Sequence, residues 1–203
     1  MSNGARQFPS PTGNSLNGDI VPDIISPSDL EQKKIFLILA TPGSIRDRNI
    51  EIIKEISGLG IHTVVITVNF PYSILSKLYS QNGIPPESVS FIDAVTRHSI
   101  GNAQNIPGVV RYINNPANLT DLGIAVTEVL KEQSGKKVCI MFDSVSTLLI
   151  YLSSANISKF IHFVTNKLRL MNISGIFLAV EKGLDPMLMT QLTTFVDNVI
   201  ESG

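Results

Sequence analysis

The sequence predicts an α/β domain, a three-layer αβα sandwich around a mainly parallel central sheet. Three observations predict it. From Lys33 onward, apolar runs of strand length alternate with segments of helical period. Those runs are apolar at nearly every position rather than every second one, as in strands covered on both faces by crossover helices. The composition is 43% hydrophobic against 16% charged, so 203 residues carry enough apolar surface for a full core.

Residues 1–32 read as a disordered N-terminal tail. Pro9, Pro11, Pro22 and Pro27 interrupt helices there, and few large apolar side chains offer an anchor. The mildly apolar stretch 20–25 is a candidate to dock on the domain or on a partner. Residues 33–203 read as the domain itself. The first strand is 35–40, followed by a loop and a helix with Ile50, Ile53 and Ile56 on one face. Residues 62–68 form the second strand and 72–79 the next helix, ended near Gly83 and Pro85. A third strand covers 89–94, and 109–113 is a short additional one after a polar connection. Residues 119–131 are helical, with Asp121 in the first turn and Lys131 near the last, both favourable to the helix dipole. A buried strand follows at 138–142. Then Ile157, Phe160, Ile161, Val164 and Leu168 take the i, i+3, i+4, i+7, i+11 spacing of an amphipathic helix. Residues 176–180 are a further strand, 186–195 the last helix and 198–200 a terminal strand.

Composition also excludes function classes. A formal net charge of −1 and the lack of any lysine–arginine run give no reason to expect nucleic acid or an anionic membrane as partner. The apolar runs are far shorter than the roughly 20 residues a spanning helix needs. The polar first thirty residues do not resemble a secretory leader. Cys139, the single cysteine, excludes an internal disulfide and fits a reducing setting. A soluble cytoplasmic protein is the expectation.

Ligands of open parallel sheets bind beyond the carboxyl ends of the strands, here at Ala40–Asp47, Asn69–Phe70, Asp143–Ser144 and Glu181. A phosphate-binding loop after a first strand reads G-x-x-x-x-G-K-[ST]. This chain has Ala40-Thr41-Pro42-Gly43-Ser44-Ile45-Arg46-Asp47. Its central Thr41-Pro42-Gly43-Ser44 resembles the G-T-P-G-S-G-K-T loop of the RecA/KaiC-like ATPases, and an ordinary βα turn is the other reading. Ala40 and Ile45 stand at the two glycine positions, where a side chain opposes close approach of phosphate to backbone. Arg46 keeps the lysine's charge on a bulkier planar head. Asp47 puts a carboxylate where the magnesium-binding hydroxyl belongs, which costs a few kcal/mol beside a triphosphate at an effective dielectric of ~20.

The run Val138-Cys139-Ile140-Met141-Phe142-Asp143-Ser144 is similar to a Walker B strand, whose aspartate helps hold magnesium; a helix N-cap is the alternative for Asp143 and Ser144. Phe91-Ile92-Asp93-Ala94, the segment 115–123 and the helix around 159–169 extend the resemblance over about 34–200. It implies a RecA-like P-loop NTPase fold of the archaeal KaiC-like type with a degenerate Walker A loop. In active relatives one or two glutamates after the second strand polarise the attacking water. Asn69-Phe70 stands there, and an amide holds water without taking its proton. Lys167 and Arg169 read as remnants of a contact with a neighbour's nucleotide or as dipole-stabilising cations. His162 reads as a partly buried structural histidine, Asp185 as the start of the last helix and Glu181 as a solvated loop residue.

The resulting expectation is a non-catalytic KaiC/RecA-like domain acting as a regulatory, signalling or scaffolding subunit. It has no catalytic residue and no bound cofactor, and its partner is a protein, either an active paralogue or a second copy. Two alternatives stay open. One is an unconventional ATPase holding ATP and magnesium with Arg46, Asp47 and Asp143, and the other is a recombinase-paralogue-like protein associated with DNA.

Overall fold

The computed structural model describes residues 24–202; the expectations for 1–23 and 203 lie outside the described residues. Seven strands form one sheet in the order β4-β3-β2-β5-β6-β1-β7. They are β1 (Ile35–Ala40), β2 (His62–Thr67), β3 (Val89–Asp93), β4 (Val110–Tyr112), β5 (Val138–Asp143), β6 (Ser174–Val180) and β7 (Asn198–Ser202). Every pairing between them is parallel. β1 and β5 are buried at all positions because helices cover both faces, which is why they read as continuous apolar runs.

The helices divide between the two faces. On one side lie α2 (Ile45–Gly58) and α3 (Tyr72–Gln81), which bury Ile52, Ile53, Ile56, Leu75 and Tyr79 against Phe36, Ile38, Phe91 and Met141. On the other lie α5 (Leu119–Glu132), α6 (Ser154–Met171) and α7 (Pro186–Phe195), packed on Leu37, Ile66, Phe142 and Phe177. The expected 157–168 stripe is buried on α6. At Gly175 on β6 an added Cβ would lie 2.6 Å from Leu168 Cδ1, so a side chain there would force the tip of Leu168 on α6 to shift. Caps follow the chemistry of their residues: Asn118, Ser153 and Asp185 each accept an amide hydrogen bond at the start of α5, α6 and α7.

The structure corrects the end of the expected tail. Pro27–Glu31 is a short helix, α1, with proline in its first turn and Ser26 accepting from the Asp29 N–H. Ile25 and Leu30 are buried in the core shared with α2, and the Ile24 and Ile25 amides donate to the Glu55 carboxylate. The packed structure therefore begins by Ile24, ahead of the expected boundary at 32/33. Two short elements carry no legible period: α4 (Thr96–Ile100) and a 3-10 turn at Ser146–Ile150. Among the described residues, no helix is long and apolar enough to cross a membrane.

Candidate functional site

β1 delivers Ala40 to the carboxyl edge of the sheet between Val180 of β6 and Ser202 of β7. The Ala40 carbonyl accepts from the Glu181 N–H at 2.9 Å, closing that side. The chain then turns tightly. The N–H groups of Ser44 and Ile45 both donate to the Thr41 carbonyl at 3.1 Å, and the Thr41 and Ser44 hydroxyls lie 2.8 Å apart. α2 starts at once, with Ile45 packed toward the core. A loop that cradles phosphate aims successive amides at its ligand; here two of them are committed to the loop's own carbonyl. Arg46 and Asp47 project outward, 63% and 66% exposed, as a 3.6 Å ion pair. A pair so exposed contributes little.

Asp143 ends β5 beneath α2 and is 3% exposed. Its Oδ2 accepts from Asn49 Nδ2 at 3.0 Å, and Asn49 Oδ1 accepts from the Tyr79 hydroxyl at 2.7 Å. All three side chains are buried, so Tyr79, Asn49 and Asp143 form one polar chain inside the apolar layer between sheet and helices. Burial pushes the Asp143 carboxyl up to about 7, with the Asn49 hydrogen bond pulling the other way. Burial, then the Asp143 charge, pushes the Tyr79 hydroxyl upward. The Asp143–Ser144 peptide is cis, and the buried Ser144 hydroxyl lies 2.8 Å from that of Thr147. The alternative reading of Asp143 or Ser144 as a helix cap is not met: Val145 precedes the 3-10 turn, and α6 begins later behind Ser153.

Across the sheet, Thr67 of β2 stands in register with Asp143 on one side and Asp93 of β3 on the other. Thr67 Oγ1 donates to the Phe70 carbonyl at 2.7 Å and accepts from the Phe70 N–H at 3.2 Å, fixing the loop that carries the half-buried Asn69. Asp93, fully buried, accepts from the amides of Tyr72, Val95 and Thr96 and from the Thr96 hydroxyl.

The loops carrying Thr41, Ser44, Asn69, Asp143 and Glu181 thus share one edge, and among the described residues the Asp143 side chain bonds to Asn49 rather than to any of the other four. As placed, they do not fit a magnesium–triphosphate complex: the Ser44 and Ile45 amides are engaged by the Thr41 carbonyl, and the Asp143 carboxylate is buried against Asn49. Glu181 is exposed at the end of β6. The basic pair on α6 is elsewhere. Arg169 donates to the Phe195 carbonyl and pairs with Asp197 at 3.2 Å, and Lys167 lies over the Phe163 ring. His162 is exposed rather than partly buried, because it faces outward beside Phe195 and Asn166. Among the described residues no group of three or more His, Cys, Asp or Glu converges on a metal position. Asn49 and Tyr79 escape the sequence reading, although Asn49 lies between Ile45 and Ile52 at helical spacing, a polar residue on an apolar face.

A sequence model of the family of unknown function DUF7504 matches residues 60–202, beginning after the 41–47 turn. No curated protein matches the chain. Among solved structures, the uncharacterized protein PH0321 of Pyrococcus horikoshii, in complex with an unknown peptide, superposes with a TM-score of 0.64 at 14% identity, covering 84% of this chain and 78% of that one. The KaiC-like protein PH0186 of the hyperthermophilic archaeon Pyrococcus horikoshii OT3 gives 0.63 at 15% identity, covering 89% and 80%. At these identities the likeness shows the fold, an all-parallel KaiC-like, RecA-type sheet flanked by helices.

Proposed function

We infer the function from the site itself, because the chain belongs to DUF7504, a family of unknown function. We propose a KaiC/RecA-like domain with a degenerate Walker A loop that does not turn over ATP and acts as a regulatory or scaffolding protein. The observation that carries this reading is the 41–45 turn, whose Ser44 and Ile45 amides close on the Thr41 carbonyl. A triphosphate would have to break both bonds, displace the inward Ile45 side chain and accept the Asp47 carboxylate beside it. Asn69 offers no base to replace the glutamate of active relatives.

The partner in this reading is a protein. Between α5 and α6 a groove of about 690 Å³ is lined by Gly123, Phe160, Ile124 and Phe163, the last two 51% and 47% exposed. Lys131 and Lys159 stand at the same groove, while Glu128 is held by Arg111. These features suit a partner segment with an apolar strip flanked by carboxylates. The unknown peptide of PH0321 is a property of that protein, and it gives a precedent for this fold holding a chain segment.

Isothermal titration with ATP and magnesium tests the proposal. The expected result is no turnover and no binding that depends on the 41–47 turn, with Ile45→Gly leaving the titration unchanged. Micromolar binding with turnover abolished by Asp143→Ala would instead establish the ATPase reading built on Arg46, Asp47 and Asp143.

A further inference from the structure

A different cavity lies at the opposite end of the sheet, below the amino ends of β5, β6 and β1. Its volume is about 520 Å³, and Lys33, Lys131, Lys136 and Lys137 all line it. Among the described residues no carboxylate does so. The four lysines come from three separate segments: the entry to β1, the last turn of α5 and the connection from α5 to β5. Of the carboxylates nearby in sequence, Glu132 pairs with Arg111 at 2.7 Å and Asp29 with Lys34 at 2.6 Å, while Glu31, two residues before Lys33, is exposed and does not line the cavity. Lys33, Lys131 and Lys137 have no ion-pair partner among the described residues. Lys136 Nζ donates to the buried Gln133 Oε1 at 2.9 Å, which ties its stem to the pocket wall.

We propose that this cavity binds a small, multiply charged, phosphate-bearing anion. Like charges gathered in one concavity raise the potential there and draw in a counter-ion, and lysine ammonium groups neutralise phosphate as compact point charges. The carboxyl end of α5 accounts for Lys131 in its own last turn but not for the three lysines on other segments. Lys33 also holds a left-handed backbone, φ 57°, that glycine adopts without steric cost. A charged side chain therefore occupies a position the backbone would cede to glycine. A bounded cavity in a chain of net charge −1 suits a small anion and not a duplex or a bilayer, which need an extended basic surface.

The test is calorimetric titration of the full chain with inorganic tripolyphosphate at low ionic strength. We expect 1:1 binding that weakens with added salt and falls at least about 10-fold in the Lys33→Gly/Lys137→Gln double variant. Lys167→Gln, on α6 and outside the cavity, should leave it unchanged. Lys33→Gly removes the charge while relieving the backbone, so lost binding with an unaltered thermal melt is not a folding effect. ATP binding that survives Asp143→Ala but is lost in the double variant belongs to this pocket rather than to the 41–47 turn. No tripolyphosphate binding, binding indifferent to the double variant, or binding only of phosphatidylserine vesicles or an oligonucleotide overturns the proposal.

Discussion

Asp93 and Asp143 end the two strands that flank β2, in register with the same Thr67 and on the same face of the sheet, yet they live in different chemistry. Asp93 is wrapped by the start of α3 and by the turn into α4, and four donors converge on it. Such a carboxylate is a structural rivet: it satisfies amides that would otherwise be buried without partners. Asp143 meets the side of α2 instead of a helix start, so no ring of amides surrounds it, and Asn49 is its side-chain partner. One donor compensates poorly for the loss of water, and the carboxyl is pushed up to about 7. Position on a sheet edge does not decide what an aspartate does; the number of donors the next element aims at it does.

The largest way to break this comparison is Asp93→Ala, which strands three backbone amides. A loss of about 3 kcal/mol is expected by urea denaturation, and a loss below ~1 kcal/mol would mean that the amides find other partners. Asp143→Asn should act in the opposite direction. Between the ordinary carboxylate value of 3.8 and about 7, the folded chain keeps a proton on Asp143 that the unfolded chain has released. Stability contributed by this group is therefore full at low pH, falls as pH rises through that window and levels off above it. The neutral amide removes the penalty, so the variant should gain a few kcal/mol at pH 8 and little near pH 4. Parallel stability curves for the two proteins from pH 4 to 8 would show that Asp143 is not the titrating group. The smallest effect belongs to Tyr79→Phe, which removes the donor to Asn49 Oδ1. It should cost about 1 kcal/mol, and a double-mutant cycle with Asp143→Asn should show coupling if the three groups act as one chain.

Much of the fold was legible because burial on both faces leaves a direct mark: β1, β5 and β6 are near-continuous apolar runs, and α6 carries an unbroken stripe from Ile157 to Leu168. Short elements left none. α4 and the 3-10 turn after β5 span five residues each, too few to establish a period, and α1 hid behind Pro27, which begins it. Of the candidate site, the 41–47 turn and the end of β5 were readable from residue types. The partner of Asp143 was not, because Asn49 lies 94 residues away and meets it only when α2 crosses the sheet.

The order of apolar runs and helical stripes by itself determined a parallel α/β sandwich and the edge on which its strand-end loops collect, since burial and periodicity are local properties of a chain. Charge and protonation were decided by the tertiary structure. Asp93 and Asp143 differ through donors brought from distant elements, and Lys33 meets three lysines of the 131–137 segment around one cavity although the two stretches lie far apart in the sequence. Electrostatic environment depends on distance in space and on exclusion of water, and neither exists until the chain has folded.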